Sequence, residues 1–243
     1  MASTLTAAKQ QLRAVMKQRL AGVTQDSVSS QSIRIFDAIQ SFKPYQDADR
    51  ISVYLSMPAA EVQTDAIVRH ALSAGKHVFV PYLHKSSLQE TTPDAPARVM
   101  DMVRLRSLHD YETLRRDHWG IPSIDPATVD GRERVLGGAP DATSVTTTID
   151  LMLLPGVAFD VDEAGRVRRL GHGKGFYDFF LNRYLARQGI PGDQDSTLQL
   201  YALGLTEQLL TPGSGQEIPV GPLDRCLHGL VLGNGEILGM VPR

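Results

Sequence analysis

A ten-residue segment carries the residue types of a phosphate-binding loop: Arg169-Leu-Gly-His-Gly-Lys-Gly-Phe-Tyr-Asp178. Its three glycines remove side chains where a backbone needs to come close to a ligand. Lys174 stands between two of them as a point charge that suits phosphate oxygens. Asp178, four residues later, is a hard oxygen ligand of the kind that Mg²⁺ takes alongside nucleotide phosphates. The segment, called the glycine loop below, predicts a nucleotide-phosphate site.

The glycine loop matches neither of the two common nucleotide signatures. It lacks the Gly-x-x-x-x-Gly-Lys-Ser/Thr pattern of the P-loop, and it does not follow a strand directly as Gly-x-Gly-x-x-Gly does. The alternative is a tight surface turn with incidental charges. A cation, a helix start and a carboxylate within one short segment favour the phosphate site.

Further candidates lie near the N-terminus and after the first predicted strand. Lys9, Arg13 and Lys17 recur every four residues and therefore project from one face of a predicted helix. A solvated helix face is the alternative for Lys9 and Arg13. Glu61 lies in a loop after a strand, where ligands bind in open α/β sheets. A solvent-exposed loop acid is the alternative there.

The elements that must position these residues alternate between helices and strands. Apolar spacing predicts helices over 4–20, 29–42, 64–74 and 176–187, with Thr4 and Thr64 as caps. Buried strands are predicted over 51–57, 77–83, 151–154 and 200–205. Asn234-Gly235 indicates a two-residue type I′ turn in a hairpin over 230–238.

This alternation predicts an α/β fold: a three-layer αβα open, mostly parallel sheet, in a single domain with a C-terminal hairpin. Surface insertions are predicted at 85–98, 127–148 and 189–196, which are rich in Ser, Thr, Pro, Asp and Gly. The single cysteine, Cys226, excludes an internal disulfide and is typical of a reducing compartment. The net charge of −2 argues against a general nucleic-acid or membrane-surface binder. No apolar run approaches the ~20 residues of a membrane span.

The glycine loop and its flanks resemble the signature of the 5-formyltetrahydrofolate cyclo-ligase family, the methenyltetrahydrofolate synthetases. Matching elements occur in the family's order: Lys9-x-x-x-Arg13, Tyr54-Leu-Ser-Met57, Glu61-Val-Gln-Thr64, Met102-Val-Arg104, Trp119-Gly-Ile-Pro122, Leu154-Pro-Gly-Val-Ala-Phe-Asp160 and the glycine loop itself. The resemblance implies that 5-formyltetrahydrofolate is closed to 5,10-methenyltetrahydrofolate with ATP as co-substrate and Mg²⁺ as cofactor. It also implies that the formyl oxygen is phosphorylated before N10 attacks.

The resemblance implies a role for each matching residue. The implied ATP contacts are Lys9, Arg13, Arg169, Leu170, Gly171, His172, Gly173, Lys174, Gly175, Phe176 and Tyr177. The implied folate contacts are Leu55, Met57, Glu61, Trp119, His172, Gly173, Lys174, Gly175 and Phe176. Lys174, Arg169 and Tyr177 are expected to be catalytic, and Asp178 and Asp224 are expected to bind the metal.

Two positions depart from the commonest family pattern. His172 stands where an arginine is frequent, and a histidine is a weaker, pH-dependent phosphate partner. Phe176 stands where a tyrosine is frequent, so it lacks a hydroxyl that could hydrogen-bond the formyl group. That role falls to Tyr177 or to a backbone N–H, or is absent.

The expected ligands are 5-formyltetrahydrofolate and ATP, with no nucleic acid and no membrane, and the expected state is a monomer in the cytoplasm. The basic, amphipathic N-terminus resembles a mitochondrial presequence. If Lys9 and Arg13 serve ATP, this segment is a structural helix, which favours the cytoplasm over the mitochondrion. Two other classes stay open: a non-catalytic relative that senses folate or nucleotide or associates with RNA, and a kinase for another small molecule.

Overall fold

The computed structural model describes residues 2–59, 61–86, 96–137, 147–189, 197–211 and 216–239. The helices are α1 Ala2–Leu20, α2 Gln25–Ser41, α3 Lys43–Asp47, α4 Asp65–Ser73, α5 Leu108–Glu112 and α6 Phe176–Arg187. The strands are β1 Arg50–Val53, β2 His77–Lys85, β3 Arg98–Arg104, β4 Arg115–Arg116, β5 Pro122–Ser123, β6 Leu151–Leu154, β7 Ala158–Val161, β8 Val167–Leu170, β9 Gln199–Gly204, β10 Gly229–Leu232 and β11 Ile237–Gly239.

The described residues form a seven-stranded main sheet in the order β11-β10-β9-β6-β1-β2-β3. Its five inner strands run parallel, whereas β3 and β11 pair antiparallel at the two edges. The glycine loop begins within β8, which pairs antiparallel with β7 in a separate ribbon. Gly171 therefore follows a strand directly, contrary to the prediction. The predicted open, mostly parallel sheet with a C-terminal hairpin is confirmed.

Hydrophobic cores cover both faces of the sheet. Along β6 the side chains alternate, because successive residues of a strand point to opposite faces. Leu151 and Leu153 pack in the core that includes α2, α3 and α4, and Met152 and Leu154 pack in the core that includes α6. Helices on both faces of a buried sheet give the three predicted layers.

Helix α1 belongs to the folded core. It buries Leu12 and Met16 in a third cluster with Val157 and Leu170, which flank the cavity and the glycine loop. The helix begins at Ala2, so Thr4 lies inside it and is not its cap. This packing supports the structural-helix interpretation of the N-terminus, and the cytoplasmic location stays a prediction. None of the described helices combines the length and apolarity needed to cross a bilayer.

The end of β1 differs from the prediction and shapes the site. The strand stops at Val53 rather than at residue 57. Beyond it, the Tyr54 carbonyl accepts a 2.7 Å hydrogen bond from Thr64 Oγ1, and the Tyr54 hydroxyl donates to the Val62 carbonyl at 3.1 Å. These bonds take the chain out of the sheet and fold residues 54–64 into a loop that carries Glu61.

Two local predictions are wrong, one about the start of a helix and one about a hairpin turn. Helix α2 starts at Gln25 rather than at residue 29, because the Thr24 side chain accepts a 3.2 Å bond from the Ser27 N–H and caps it. The hairpin turn is not a two-residue type I′ turn. The Gly235 N–H donates to the Leu232 carbonyl at 2.8 Å, and Gly235 has φ 89°, which describes a three-residue loop with its left-handed residue last.

Most of the predicted insertions lie outside the described residues, namely 87–95, 138–146 and 190–196. Residues 127–137 are described and pack against α5 and β3. The Arg132 guanidinium donates to both carboxylate oxygens of Asp110 at 2.5 and 2.7 Å, and Val129 and Val135 are buried. This part of the second predicted insertion is therefore fixed to the domain.

Candidate functional site

The carboxyl ends of β1, β6 and β9 open onto a cavity of about 430 Å³. Its wall combines one face of α1, the loop after β1, the turn after β6, the turn after β9 and the glycine loop. The lining residues are Arg13, Lys17, Leu20, Ala21, Met57, Glu61, Gly156, Val157, His172 and Gln208. This is the place where ligands bind in open α/β sheets.

The glycine loop ends at the first turn of α6 and exposes a cation there. Gly173 and Gly175 adopt φ 99° and 66°, a region that favours glycine, and Gly175 forms the N-cap of α6. Lys174 between them is exposed. Within the described ranges, no hydrogen bond or ion pair reaches its ammonium. A free ammonium beside a helix N-terminus is suited to an anionic ligand.

Arg13 ties α1 to the glycine loop. Its Nε donates to the Gly171 carbonyl at 2.8 Å. A Cβ atom at Gly173 would lie 3.2 Å from Arg13 Cζ. The loop and the guanidinium therefore pack closely only because residue 173 has no side chain.

Arg169 is buried at the start of the loop, with 4% of its side chain exposed. Its Nη2 donates to Asp178 Oδ2 at 2.8 Å, and its Nη1 donates to the Pro155 carbonyl at 3.3 Å. Its guanidinium carbon lies 5.5 Å from the centroid of the Tyr177 ring. These contacts tie the turn after β6 to the first turn of α6. Direct contact of Arg169 with ATP and its catalytic role stay predictions.

The two carboxylates predicted to bind a metal are each paired with a cation. Asp178 pairs with Arg169, and Lys9 Nζ donates to Asp224 Oδ2. The Arg225 N–H donates to Asp178 Oδ1 at 3.3 Å, so the segment containing Asp224 lies against the first turn of α6. In the described part of the chain, no group of three or more His, Cys, Asp or Glu residues could hold a metal ion. A metal here needs further oxygen ligands.

Glu61 is a buried acid in the cavity wall, 8% exposed. Burial raises the pKa of its carboxyl from 4.5 to about 7, although the Met57 N–H, 2.9 Å from Oε2, acts in the opposite direction. The Gln63 side-chain amide donates to the carbonyls of Met57 and Glu61 at 2.9 and 2.7 Å. The loop therefore holds Glu61 in place with bonds to its backbone.

Tyr177 packs against both cores close enough to Glu61 to feel the charge of its carboxylate. Burial, and then the charge of Glu61, raise the pKa of the Tyr177 hydroxyl far above its usual value. The hydroxyl therefore keeps its proton at neutral pH. Phe176 packs its ring against the core that contains α6. This supports the prediction that Tyr177, rather than Phe176, donates the hydrogen bond to the formyl group.

His172 lies in the cavity wall with part of its ring open to solvent. The protein around the imidazole lowers its pKa, and the charges of Arg169 and Arg13 lower it further. The neutral form of the ring is therefore favoured at pH 7.

Two predicted folate contacts lie away from the cavity wall. Leu55 is buried in the core that contains α2. Trp119 is 64% exposed on the β4–β5 hairpin, where a Cβ atom at Gly120 would meet Pro58 at 2.8 Å. The structure places this hairpin beside the loop after β1, and the folate contacts of Leu55 and Trp119 stay predictions.

Two residues of the cavity wall were given no role by the sequence analysis. Lys17 follows Arg13 by four residues, and that spacing could have indicated it. Gln208 carries no local signal. Its Nε2 donates to the Gly156 carbonyl at 2.6 Å and its Oε1 accepts from the Leu205 N–H at 2.9 Å, so it joins the turns after β6 and β9.

Comparison with known proteins gives one consistent family. The model of the 5-formyltetrahydrofolate cyclo-ligase family matches residues 5–232. The Mus musculus 5-formyltetrahydrofolate cyclo-ligase is 34% identical over 189 residues, which cover 78% of this chain and 81% of the mouse protein. A probable 5-formyltetrahydrofolate cyclo-ligase of Schizosaccharomyces pombe is 30% identical over 225 residues, covering 92% and 94%. The NMR structure of Aquifex aeolicus 5,10-methenyltetrahydrofolate synthetase shares the fold, with TM-score 0.61 and 20% identity over 97% of this chain and 94% of that one.

Proposed function

Because the chain belongs to the 5-formyltetrahydrofolate cyclo-ligase family, we propose that it is a ligase that converts 5-formyltetrahydrofolate to 5,10-methenyltetrahydrofolate with ATP and Mg²⁺. One observation carries the proposal. A single cavity is lined by His172 of the glycine loop, by the cations Arg13 and Lys17 of α1, and by Glu61, a buried acid suited to a polar ring system. A nucleotide phosphate and a pterin can therefore meet there.

The proposed chemistry solves a leaving-group problem. Closing the ring expels the formyl oxygen, which is a poor leaving group as hydroxide. The formyl oxygen therefore attacks the γ-phosphorus of ATP, and ADP leaves. N10 then attacks the formyl carbon and loses its proton, and inorganic phosphate departs with the former formyl oxygen. The products are ADP, phosphate and the methenyl compound.

The residues of this chain bind and orient the reactants. Lys174, Arg13 and Lys9 supply positive charge to the phosphates, and the first N–H groups of α6 add fixed dipoles. Because the attack of N10 is intramolecular, holding the formyl group and N10 in a reactive geometry is sufficient. Tyr177 keeps its proton and can donate to the formyl group, and Glu61 orients the pterin.

Asp178 and Asp224 are the residues that would hold Mg²⁺. The donor set fits, because Mg²⁺ is commonly bound by one or two carboxylates together with substrate phosphates. Asp224 already lies beside Lys9, which the proposal assigns to the phosphates, and Asp178 lies beside Arg169 at the start of the glycine loop. When bound, the ion neutralises charge on the phosphates.

One assay separates this function from its alternatives. We expect the near-ultraviolet absorbance of the methenyl compound to grow from 5-formyltetrahydrofolate only when ATP and Mg²⁺ are both present. Release of ADP without that absorbance would indicate a kinase for another group, and binding without turnover would indicate a sensor. We also propose that the protein is a monomer, and size-exclusion chromatography during turnover tests this.

Gly173→Ala is expected to lower kcat/KM for ATP by about tenfold or more, because a close contact of this kind displaces a charged binding group. The new methyl group would meet the Arg13 guanidinium at 3.2 Å and would also strain the backbone at φ 99°. Steady-state kinetics at varied ATP measure the effect. Gly75→Ala is the matched control, since Gly75 has φ 78° and nothing lies within 4 Å of its Cβ position. If both variants lose stability alike and both keep activity, the close fit of Arg13 to the loop is unimportant.

His172→Arg is expected to keep kcat/KM for ATP within about fivefold of wild type, because a partly exposed charge contributes little binding energy. Arginine is frequent at this position in the family. Because its charge does not titrate, the variant should bind ATP more tightly than wild type at pH 8. Burial lowers the pKa of His172, so the difference should shrink only as the pH falls well below 6.5, where the histidine gains its proton. Initial rates at varied ATP and pH measure this. Complete loss of activity in a folded variant would contradict it.

A further inference from the structure

Lys17 is the third cation on one face of α1, and its situation differs from that of the other two. Lys9 pairs with Asp224, and Arg13 donates to the Gly171 carbonyl. Lys17 also lines the cavity. Yet within the described segments no carboxylate lies within ion-pair distance of its ammonium, and no hydrogen bond involves it. Lys17 is exposed, so the open edge of the cavity carries a cation that has no counter-charge among the described residues.

The position of Lys17 separates it from the proposed ATP phosphates. One residue of an α-helix advances about 1.5 Å, so Lys17 lies about 6 Å farther along α1 than Arg13, which marks the glycine loop. The cavity residues that follow Lys17 on the helix, Leu20 and Ala21, are apolar. The loop after β1 adds Met57 and Glu61 to the same wall.

Glu61 does not serve as the counter-charge of Lys17. A lysine close to a carboxyl lowers the pKa of that carboxyl. Burial instead raises the pKa of Glu61 to about 7, and the group that opposes this rise is the Met57 N–H. The remaining charged or titratable residues in the cavity wall, Arg13 and His172, are basic. Lys17 therefore offers its charge to a ligand.

We propose that Lys17 binds a carboxylate of the glutamyl tail of the folate substrate and makes the enzyme selective for glutamylated substrates. The proposal rests on the proposed function and adds a subsite to it. Folate is a polar pterin joined through an apolar aminobenzoyl ring to a glutamate. The cavity wall offers a partner for each of these three parts: the acid Glu61, the apolar side chains of Met57 and Leu20, and the ammonium of Lys17.

The test compares two substrates in wild type and in Lys17→Gln. One substrate is 5-formyltetrahydrofolate, and the other is 5-formyltetrahydropteroate, which lacks the glutamate. We expect Lys17→Gln to raise KM for the glutamylated substrate about five- to tenfold, as for a partly exposed charge-assisted hydrogen bond. For the pteroate, KM should stay within twofold of wild type, and kcat and KM for ATP should not change. Lys17→Arg should restore most of the affinity.

Arg19→Gln is the matched control. Arg19 lies on the same helix, and its replacement by glutamine removes the same charge. Its guanidinium donates to the Glu207 carbonyl and to Gln216, however, and does not line the cavity. It should not distinguish the two substrates. Equal loss on both substrates in Lys17→Gln, a rise in KM for ATP instead, or equal use of both substrates by wild type would overturn the proposal while leaving the cyclisation intact.

Calorimetric titration with both compounds gives a readout that does not depend on turnover. Glutamate-dependent binding that Lys17→Gln removes would support the subsite even if no cyclisation were seen, whereas absence of cyclisation in wild type would reject the proposed function. Binding that is independent of the glutamate in wild type would reject the subsite alone.

Discussion

Lys174→Ala is expected to lower the rate of ATP-dependent cyclisation by about 10²- to 10³-fold, the usual effect of removing a group that stabilises transition-state charge. The ammonium stands between two glycines at the N-terminus of α6, exposed and without a partner among the residues that the structure describes. Because the ammonium makes no hydrogen bond or ion pair with the described residues, its removal should change the free energy of unfolding by no more than about 0.5 kcal/mol. Single-turnover kinetics and thermal unfolding of the same preparation measure the two effects.

Lys43→Ala controls for the loss of a surface lysine. Lys43 is exposed, pairs with Asp47 within α3 and does not line the cavity. It should retain wild-type kinetics. Near-wild-type turnover by Lys174→Ala would remove Lys174 from the phosphate site, and unfolding of that variant would show that the side chain has a structural role instead.

Glu61→Gln is expected to make the protein more stable at pH 8. The pKa of Glu61 is raised in the folded state, from 4.5 to about 7, so the ionised form costs stability once the pH exceeds the unfolded value. The cost is absent below about pH 4.5, grows as the pH rises to 7 and is full above it. A glutamine stays neutral and can still accept the Met57 N–H. One pKa unit corresponds to about 1.4 kcal/mol, so the gain at pH 8 should be roughly 2–3 kcal/mol.

The same substitution should impair the reaction. The proposal uses the Glu61 carboxyl to orient the pterin, and an amide presents one acceptor and two donors where the carboxylate presents acceptors alone. We expect kcat/KM for 5-formyltetrahydrofolate to fall by about tenfold or more, because a buried polar group of the substrate loses its partner. Chemical denaturation at pH 5 and pH 8, together with kinetics, measures both effects.

Glu163→Gln is the control for this pair of effects, because Glu163 is exposed in the β7–β8 turn. It should change neither stability nor turnover. A Glu61→Gln variant that is less stable than wild type at pH 8 would contradict the argument from burial. One that is more stable but fully active would remove Glu61 from the folate pocket.

Local signals predicted the elements that carry the phosphate site. Helix α6 and strand β6 have the predicted bounds, because a glycine N-cap followed by a helix, and a short apolar run, are strong local patterns. The end of β1 was not predicted. The apolar residues 54–57 predict that the strand continues. Hydrogen bonds of Tyr54 with Thr64 and Val62 instead turn the chain into a loop.

Long-range pairing explains what the sequence could not reveal about the site. The sequence analysis assigns Lys9 to ATP and Asp224 to the metal as separate residues. The fold instead brings them into an ion pair across 215 positions of the chain. The sequence analysis predicts that Arg169 contacts ATP, yet its side chain is buried against Asp178 and the Pro155 carbonyl. Such partners depend on how the loops pack against one another, and no local periodicity records that packing.

The most direct test of the proposed reaction follows the formyl oxygen itself. 5-Formyltetrahydrofolate labelled with oxygen-18 in the formyl group is converted by the wild-type protein with ATP and Mg²⁺, and the products are analysed by mass spectrometry. The proposal predicts one labelled oxygen in each inorganic phosphate released and none in ADP. Label that appears in water instead, or phosphate release without the methenyl product, would contradict transfer of the γ-phosphoryl group to the formyl oxygen.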